Sequence, residues 1–212
     1  MGEEKLNTVY IYTGGGADAS RLPKIPDTAF VIAADSGYRL ALQCGVVPDV
    51  LLGDMDSLGE CDIDPSVSVV RVKAEKNETD TMLAIDYALE HGAKELFIFG
   101  GLGGRVDHGI SNLYMLEYIS NRGAVGILSD GQNRVRYIKD QKIVLPCGDY
   151  KYFSLLCIDR SAEGVSISNC KYPLCDAVLE RERQYAVSNE FIGCPAEIEV
   201  KRGALFVVES NN

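Results

Sequence analysis

Asp54 and Asp56 stand in Gly53-Asp54-Met55-Asp56-Ser57, directly after the apolar run Val50-Leu51-Leu52. Asp80 follows Thr79 where a helix-like segment opens, and Asp35 follows Ala29–Ala34 in Ala34-Asp35-Ser36-Gly37. Asp107 closes Gly100-Gly101-Leu102-Gly103-Gly104-Arg105-Val106-Asp107-His108, itself directly after Leu96–Phe99. Carboxylates where buried strands run out are hard oxygen donors. Magnesium takes one or two of these and keeps its remaining positions for water and substrate phosphates. The i,i+2 spacing of Asp54 and Asp56 puts both on one side if the strand continues, with Met55 pointing away. A turn-forming or solvent-facing pair is the plainer alternative. For Asp80 the alternative is a helix-dipole role, since an acid in the first turn favours the positive end.

Two glycine-rich stretches, Gly14-Gly15-Gly16 and Gly100-Gly101-Leu102-Gly103-Gly104, can bring successive N–H groups together around an anion. Neither continues into Gly-Lys-Ser/Thr, and neither fits the dinucleotide fingerprint. Arg105 adds a phosphate clamp, or else pairs with Asp107, which in turn could orient the arginine or bind metal. Lys76 can approach phosphate from the loop before Asp80. His91 and His108 are the two histidines, and no nucleophilic triad can be assembled from them. His108 suits the first turn of a helix and His91 a helix end.

These residues need a scaffold that delivers them to one place. Thr8–Thr13, Ala29–Ala33, Val50–Leu52, Val67–Val72, Leu96–Phe99 and Ala124–Leu128 read as short strands, apolar at nearly every position. Helical segments separate them at Tyr38–Cys44, Asp80–Glu90 and Ile110–Ile119. That alternation predicts a parallel sheet covered on both faces. Thr79 is the expected cap of the second helix and Gly92 its terminator, with Asp86 and Glu90 facing water. From about Asn133 the period changes. Val135–Ile138, Lys142–Leu145, Tyr152–Ile158, Val165–Ser168, Val178–Glu180, Gln184–Val187, Glu197–Lys201 and Leu205–Glu209 predict short strands with no long helix, a compact antiparallel sandwich. The boundary falls between positions 130 and 140.

The 212 residues are 46% hydrophobic and 25% charged, the make-up of a folded globule. A net charge of −10 argues against a broad nucleic-acid surface, while a metal and backbone N–H groups keep a small polyphosphate compatible. No secretion signal and no membrane-length apolar run are read, so a cytoplasmic protein is expected. Seven cysteines form no C-x-x-C pair or regular framework and are expected to be reduced. Asn77-Glu78-Thr79 matches a glycosylation acceptor, without consequence in a cytoplasmic chain.

In this order, the Asp35, Asp54/Asp56, Thr79-Asp80 and Gly100–His108 motifs resemble the thiamine pyrophosphokinase family across nearly the whole chain. Ser188-Asn189-Glu190 is similar to the family's thiamine-side motif. The resemblance implies a Rossmann-like α/β ATP-binding domain over residues 1–132. It implies an antiparallel β-sandwich for thiamine binding and dimerisation over 133–212. It implies a homodimer with sites at the subunit interface, and Mg²⁺ as cofactor. The implied reaction moves the β,γ-pyrophosphoryl unit of ATP to the hydroxyethyl oxygen of thiamine, giving thiamine diphosphate and AMP. Carried over, Asp54, Asp56 and Asp80 become the metal and catalytic residues. Asp35, Lys76, Gly101, Gly103, Gly104, Arg105, Asp107 and Asn112 go to the ATP side, and Ser188 and Asn189 to thiamine. The chain has no tryptophan, so a tryptophan stack on thiamine does not carry over; Tyr185 or Phe191 could supply contact. Two other readings stand: a related ATP-dependent pyrophosphokinase with another alcohol acceptor, and a noncatalytic nucleotide sensor.

Overall fold

The computed structural model describes residues 6–56, 58, 61–72 and 78–211. The chain divides into two compact units, Met1–Gly131 and Gln132–Asn212. In the first, strands β1 (Thr8–Tyr12), β2 (Phe30–Ala34), β3 (Val50–Gly53), β4 (Ser68–Arg71), β5 (Glu95–Phe99) and β6 (Val125–Ser129) run parallel in the order β6-β5-β1-β2-β3-β4. The central strands are apolar at nearly every position because they are covered on both faces, whereas edge strand β4 carries Ser68 and Arg71 and is largely exposed. All four residues of β3 are buried, as are four of five in β2.

Helices α1 (Gly37–Gln43), α2 (Asp80–Glu90) and α3 (Val106–Asn121) link the strands. The α2 helix has the predicted bounds, and Thr79 Oγ1 accepts from Met82 N–H at 3.2 Å, a side-chain N-cap. It buries Ala84, Ile85 and Ala88. Asp86 does not simply face water, as it accepts a 2.6 Å hydrogen bond from Tyr118 Oη on α3. The α3 helix starts four residues before the expected Ile110, so Asp107 and His108 lie in its first turn. His108 thus stands in a helical first turn as expected, and Gly109 is buried beneath the carbonyls of Gly101 and Leu102.

The second unit holds β7 (Asn133–Lys139), β8 (Lys142–Leu145), β9 (Tyr152–Cys157), β10 (Ser161–Ser168), β11 (Leu174–Glu180), β12 (Asn189–Glu190), β13 (Ala196–Glu199) and β14 (Ala204–Ser210). They pair antiparallel in the orders β12-β9-β14-β7 and β11-β10-β13-β8. Phe153, Leu155, Leu205 and Val207 of the first set share one apolar core with Leu145, Val165, Ile167, Leu179 and Ile198 of the second. Alternation of buried and less buried residues along β9 and β13 is the signature of strands with one face inward.

Glu209, fully buried, accepts two 2.7 Å bonds from Arg134 and one of 3.1 Å from Arg136. A buried carboxylate persists only when so paired. One predicted strand is absent. Gln184–Val187 is irregular, because the Gln184 side-chain amide takes the place of a backbone partner. Its Oε1 accepts from Cys157 N–H and its Nε2 donates to Cys157 O, both at 3.0 Å.

Candidate active site

In the sheet order, β1 has β2 on one side and β5 on the other, so the chain changes direction across the sheet at β1. Open α/β sheets bind ligands outside the carboxyl ends of strands at such a switch point. A cleft of about 430 Å³ lies there, lined by Thr13 and Gly14–Gly16 after β1 and Asp35 and Ser36 after β2. Thr79, Asp80 and Thr81 line it from the start of α2. Gly101, Gly103, Gly104, Arg105, His108 and Asn112 complete it from the β5–α3 connection. The amino ends of α2 and α3 therefore both open on the cleft, and their dipoles favour an anion there.

The two glycine stretches are a pair. A Cβ on Gly15 would fall 2.3 Å from Gly101 N, so only glycine allows the two backbones to touch. Gly100, Gly101 and Gly104 have φ of 86°, 81° and 82°, the left-handed region. Among the described residues, no protein acceptor meets the N–H groups of Gly14, Gly15, Gly16, Gly103 or Gly104. Gly14, Gly16 and Gly104 are exposed, so these N–H groups are open to water or to an anion, and such a set beside helix amino ends is chemically an anion cradle.

Of the residues expected on the nucleotide side, Asp35, Gly101, Gly103, Gly104, Arg105 and Asn112 line this cleft, and Asp80 joins them from the metal set. Asp35 adopts φ 47°, with its N–H donating to Leu52 O at 2.8 Å and its carbonyl accepting from Tyr38 N–H at 3.1 Å. A side chain held at positive φ in a site is backbone strain maintained by its surroundings. Asn112, buried in α3, donates through Nδ2 to Gly101 O at 2.9 Å. It supports the loop from behind. Lys76 lies outside the described residues. Ser36 lines the cleft from within the Ala34–Gly37 motif, whereas Thr13 and Thr81 line it and carried no motif signal; only the fold shows that their strand and helix end together.

Asp54 and Asp56 depart from the expected geometry. The strand ends at Gly53, and Met55 has φ 70°, so the pair does not alternate as in a continuing strand. Instead Asp54 Oδ1 accepts from Asp56 N–H at 3.0 Å, a self-made turn that asparagine and aspartate favour. Neither is among the lining residues of the cleft. Their loop nonetheless runs beside it, since a Cβ on Gly53 would lie 3.0 Å from Asp35 Cβ. Among the described residues, no three His, Cys, Asp or Glu side chains cluster to hold a metal. Magnesium needs only one or two protein carboxylates beside substrate phosphate, and Asp35 and Asp80 on one cleft meet that requirement.

Asp107 also differs from a free ligand. Arg105 grips it in a fork, Nε to Oδ1 at 3.1 Å and Nη2 to Oδ2 at 2.6 Å, while His108 N–H donates to Oδ1 at 2.9 Å. The Arg105 hydrogen bond holds the Asp107 carboxyl down at about 2, against an ordinary 3.8. Both groups are exposed, so this pair orients more than it stabilises.

In the second unit, Ser188 is exposed at φ 56°, with its N–H on Ser154 Oγ at 3.0 Å. Asn189 is 5% exposed and fully engaged. Its Oδ1 accepts from Tyr172 N–H at 3.0 Å and Glu190 N–H at 2.9 Å, and its Nδ2 donates to Tyr172 O at 2.8 Å. It braces the 170–172 turn. Phe191 packs on buried Phe153 at 4.9 Å, whereas Tyr185 is half exposed with Oη donating to Val178 O.

Comparison with known proteins agrees along the chain. Residues 24–126 match the family model "Thiamin pyrophosphokinase, catalytic domain", and residues 138–205 match "Thiamin pyrophosphokinase, vitamin B1 binding domain". A thiamine pyrophosphokinase of Bacillus subtilis (strain 168) is 29% identical over 227 aligned positions, covering 98% of this chain and 100% of the relative. The crystal structure of thiamine pyrophosphokinase from Bacillus subtilis superposes with a TM-score of 0.86 at 24% identity, covering 97% of this chain and 100% of that one. That of thiamin pyrophosphokinase from Geobacillus thermodenitrificans gives 0.84 at 25% identity, covering 97% and 98%.

Proposed function

The chain belongs to the thiamine pyrophosphokinase family, and from that premise we propose that the switch-point cleft is where it holds ATP. Its activity is transfer of the pyrophosphoryl group of ATP to thiamine, giving thiamine diphosphate and AMP. The observation that carries the ATP assignment is the cradle of open N–H groups from two touching glycine loops, with Asp35, Asp80 and Arg105 around it. We read the first domain, residues 1–132, as Rossmann-like and the second, 133–212, as a β-sandwich that binds thiamine and dimerises. The shared core of the two antiparallel sheets supports the latter.

Spectator phosphate oxygens sit on the glycine N–H groups, where fixed donors cost no reorganisation during reaction. Arg105 reaches the departing AMP side and is aimed by Asp107. Asp54, Asp56 and Asp80 are the proposed magnesium and catalytic carboxylates, with Asp35 next to them, and Lys76 is proposed at the phosphates. When bound, Mg²⁺ lowers charge repulsion along the polyphosphate. The thiamine hydroxyl oxygen attacks the β-phosphorus, the bond from that phosphorus to the oxygen bridging it to the α-phosphate breaks, and the hydroxyl proton passes to a carboxylate of this set. Ser188 presents its hydroxyl on the thiamine side, and Asn189 acts behind it through the 170–172 turn.

A homodimer is part of this reading, supported by exposed Tyr172, Val178, Tyr185 and Ile192 on the second unit; light scattering at twice the chain mass tests it. Cytoplasmic location is likewise proposed, in keeping with seven free cysteines. Incubation with ATP, Mg²⁺ and thiamine followed by mass analysis tests the chemistry. Equal amounts of AMP and thiamine diphosphate are expected; ADP with thiamine monophosphate would overturn the transfer.

A further inference from the structure

The bend that shapes the cradle is Gly100-Gly101, two consecutive residues at left-handed φ. Glycine permits this conformation but does not favour it over others, so something else must select it. Backbone bonds act first. Gly100 N–H donates to Ser129 O at 2.9 Å, and Thr13 N–H to Phe99 O at 2.8 Å. Two buried side chains then act on either side of the bend. Thr13, 1% exposed, donates through Oγ1 to Phe99 O at 3.2 Å. Asn112 holds Gly101 O from the opposite end.

Thr13 is also the wall against which the bend turns. A Cβ on Gly100 would lie 2.9 Å from both Thr13 O and Thr13 Oγ1, and one on Gly101 would lie 3.3 Å from that same hydroxyl. A side chain at either end of the peptide that reverses the chain would therefore run against the Thr13 hydroxyl. After Leu102 come Gly103 and Gly104, which line the cleft and whose N–H groups meet no protein acceptor among the described residues. Core packing does not require an oxygen here, since Phe99 O already accepts from Thr13 N–H and the neighbouring Tyr12 and Phe99 are buried aromatic side chains.

We propose that Thr13 is a positioning residue for ATP: with Asn112 it locks the Gly100-Gly101 bend so that the Gly103 and Gly104 N–H groups stay aimed at the polyphosphate. The proposal rests on the assignment of ATP to this cleft. Thr13 is not a catalytic residue, because its hydroxyl is spent on Phe99 O.

The test is Thr13→Val, which keeps the β-branched shape and removes the oxygen, beside Thr13→Ser, which keeps the oxygen. Affinity for ATP is read by calorimetry without thiamine, and KM for each substrate is read separately. Thr13→Val should raise the ATP dissociation constant and KM by roughly fivefold, the factor set by one neutral hydrogen bond. Its KM for thiamine and its melting temperature should match the wild type, and Thr13→Ser should restore ATP affinity. Unchanged ATP affinity in Thr13→Val would overturn the proposal. So would losses spread equally over ATP, thiamine and thermal stability, which mark a merely structural side chain. Arg105→Ala separates this from the cleft assignment. If it too leaves ATP affinity intact, the assignment itself fails; if it weakens ATP and Thr13→Val does not, only the locking role fails.

Discussion

Asn112 in the α/β unit and Asn189 in the antiparallel unit are both buried amides that hold a loop, yet they leave those loops in different states. Asn112 makes one side-chain bond to one carbonyl, Gly101 O, and the nearby Gly103 and Gly104 line the cleft with no protein acceptor on their N–H groups among the described residues. Asn189 uses both ends of its amide on the Tyr172 backbone and also accepts from Glu190 N–H, so its turn is closed on itself. Gln184 does the same to Cys157. The contrast teaches how each unit prepares for a ligand. The first keeps unmet donors on a rigid frame for an anion. The second meets its own donors and exposes a hydroxyl, at Ser188, from a locked backbone. Preorganisation in the first is electrostatic; in the second it is mechanical.

The largest expected effects lie in the chemistry proposed for the first unit. Asp80→Asn should cut turnover by about 10²- to 10³-fold, in the range of losing one preorganised charge-stabilising group, with little change in melting temperature. Asp54→Asn should act in the same direction. Near-normal rates for Asp54→Asn at limiting magnesium would remove Asp54 from the assigned set and leave Asp35 and Asp80 as the cleft carboxylates.

The two amides themselves come next. Asn189→Ala removes a buried amide that bonds Tyr172 N–H, Tyr172 O and Glu190 N–H, which should cost about 2–4 kcal/mol. For a chain of this size that is a fall of roughly 5–15 °C in melting temperature. KM for thiamine should rise while KM for ATP holds. Asn112→Ala strands one carbonyl and should cost about 1–2 kcal/mol, with the KM effect now on ATP. If both variants disturbed both substrates alike, the division of labour between the units would collapse.

Arg105→Ala should raise KM for ATP by about tenfold, in proportion to a lost charge-assisted contact, and leave the melting temperature unchanged because the Asp107 pair is exposed. The smallest effect concerns that pair. Asp107 titrates at about 2 when folded against an ordinary 3.8, so the folded state favours its ionised form. Its contribution to stability is present above about pH 4 and is lost as pH falls towards 2. Carboxyl NMR titration should find the depressed value and see it return towards 3.8 in Arg105→Ala. A value near 3.8 in the wild type would show that the fork is not held in solution.

Much of the scaffold was legible from local pattern. Fully apolar runs separated by helices announced a parallel sheet, and Thr79 before Asp80 announced a capped helix whose bounds are those observed. The antiparallel series after Asn133 was readable from period-two alternation and turn residues, except where Gln184 replaced a strand with its own side chain. The cleft residues were partly legible too. Asp35, Asp80, Arg105 and the glycines lie where strands end, and strand ends are visible in a sequence.

By itself, then, the sequence determined the local periods, the caps and the positions where only glycine would serve, because those depend on a residue and its near neighbours. Tertiary structure decided what those positions meet. It turned Met55 to positive φ and so folded Asp54 and Asp56 into a turn instead of a continuing strand. It set Gly15 against Gly101, across the pairing of β1 with β5. It placed the hydroxyl of Thr13 under the bend, and it closed Asn189 on Tyr172. Each of these joins groups whose neighbours in space are set by long-range pairing of strands and loops, which no window of sequence contains.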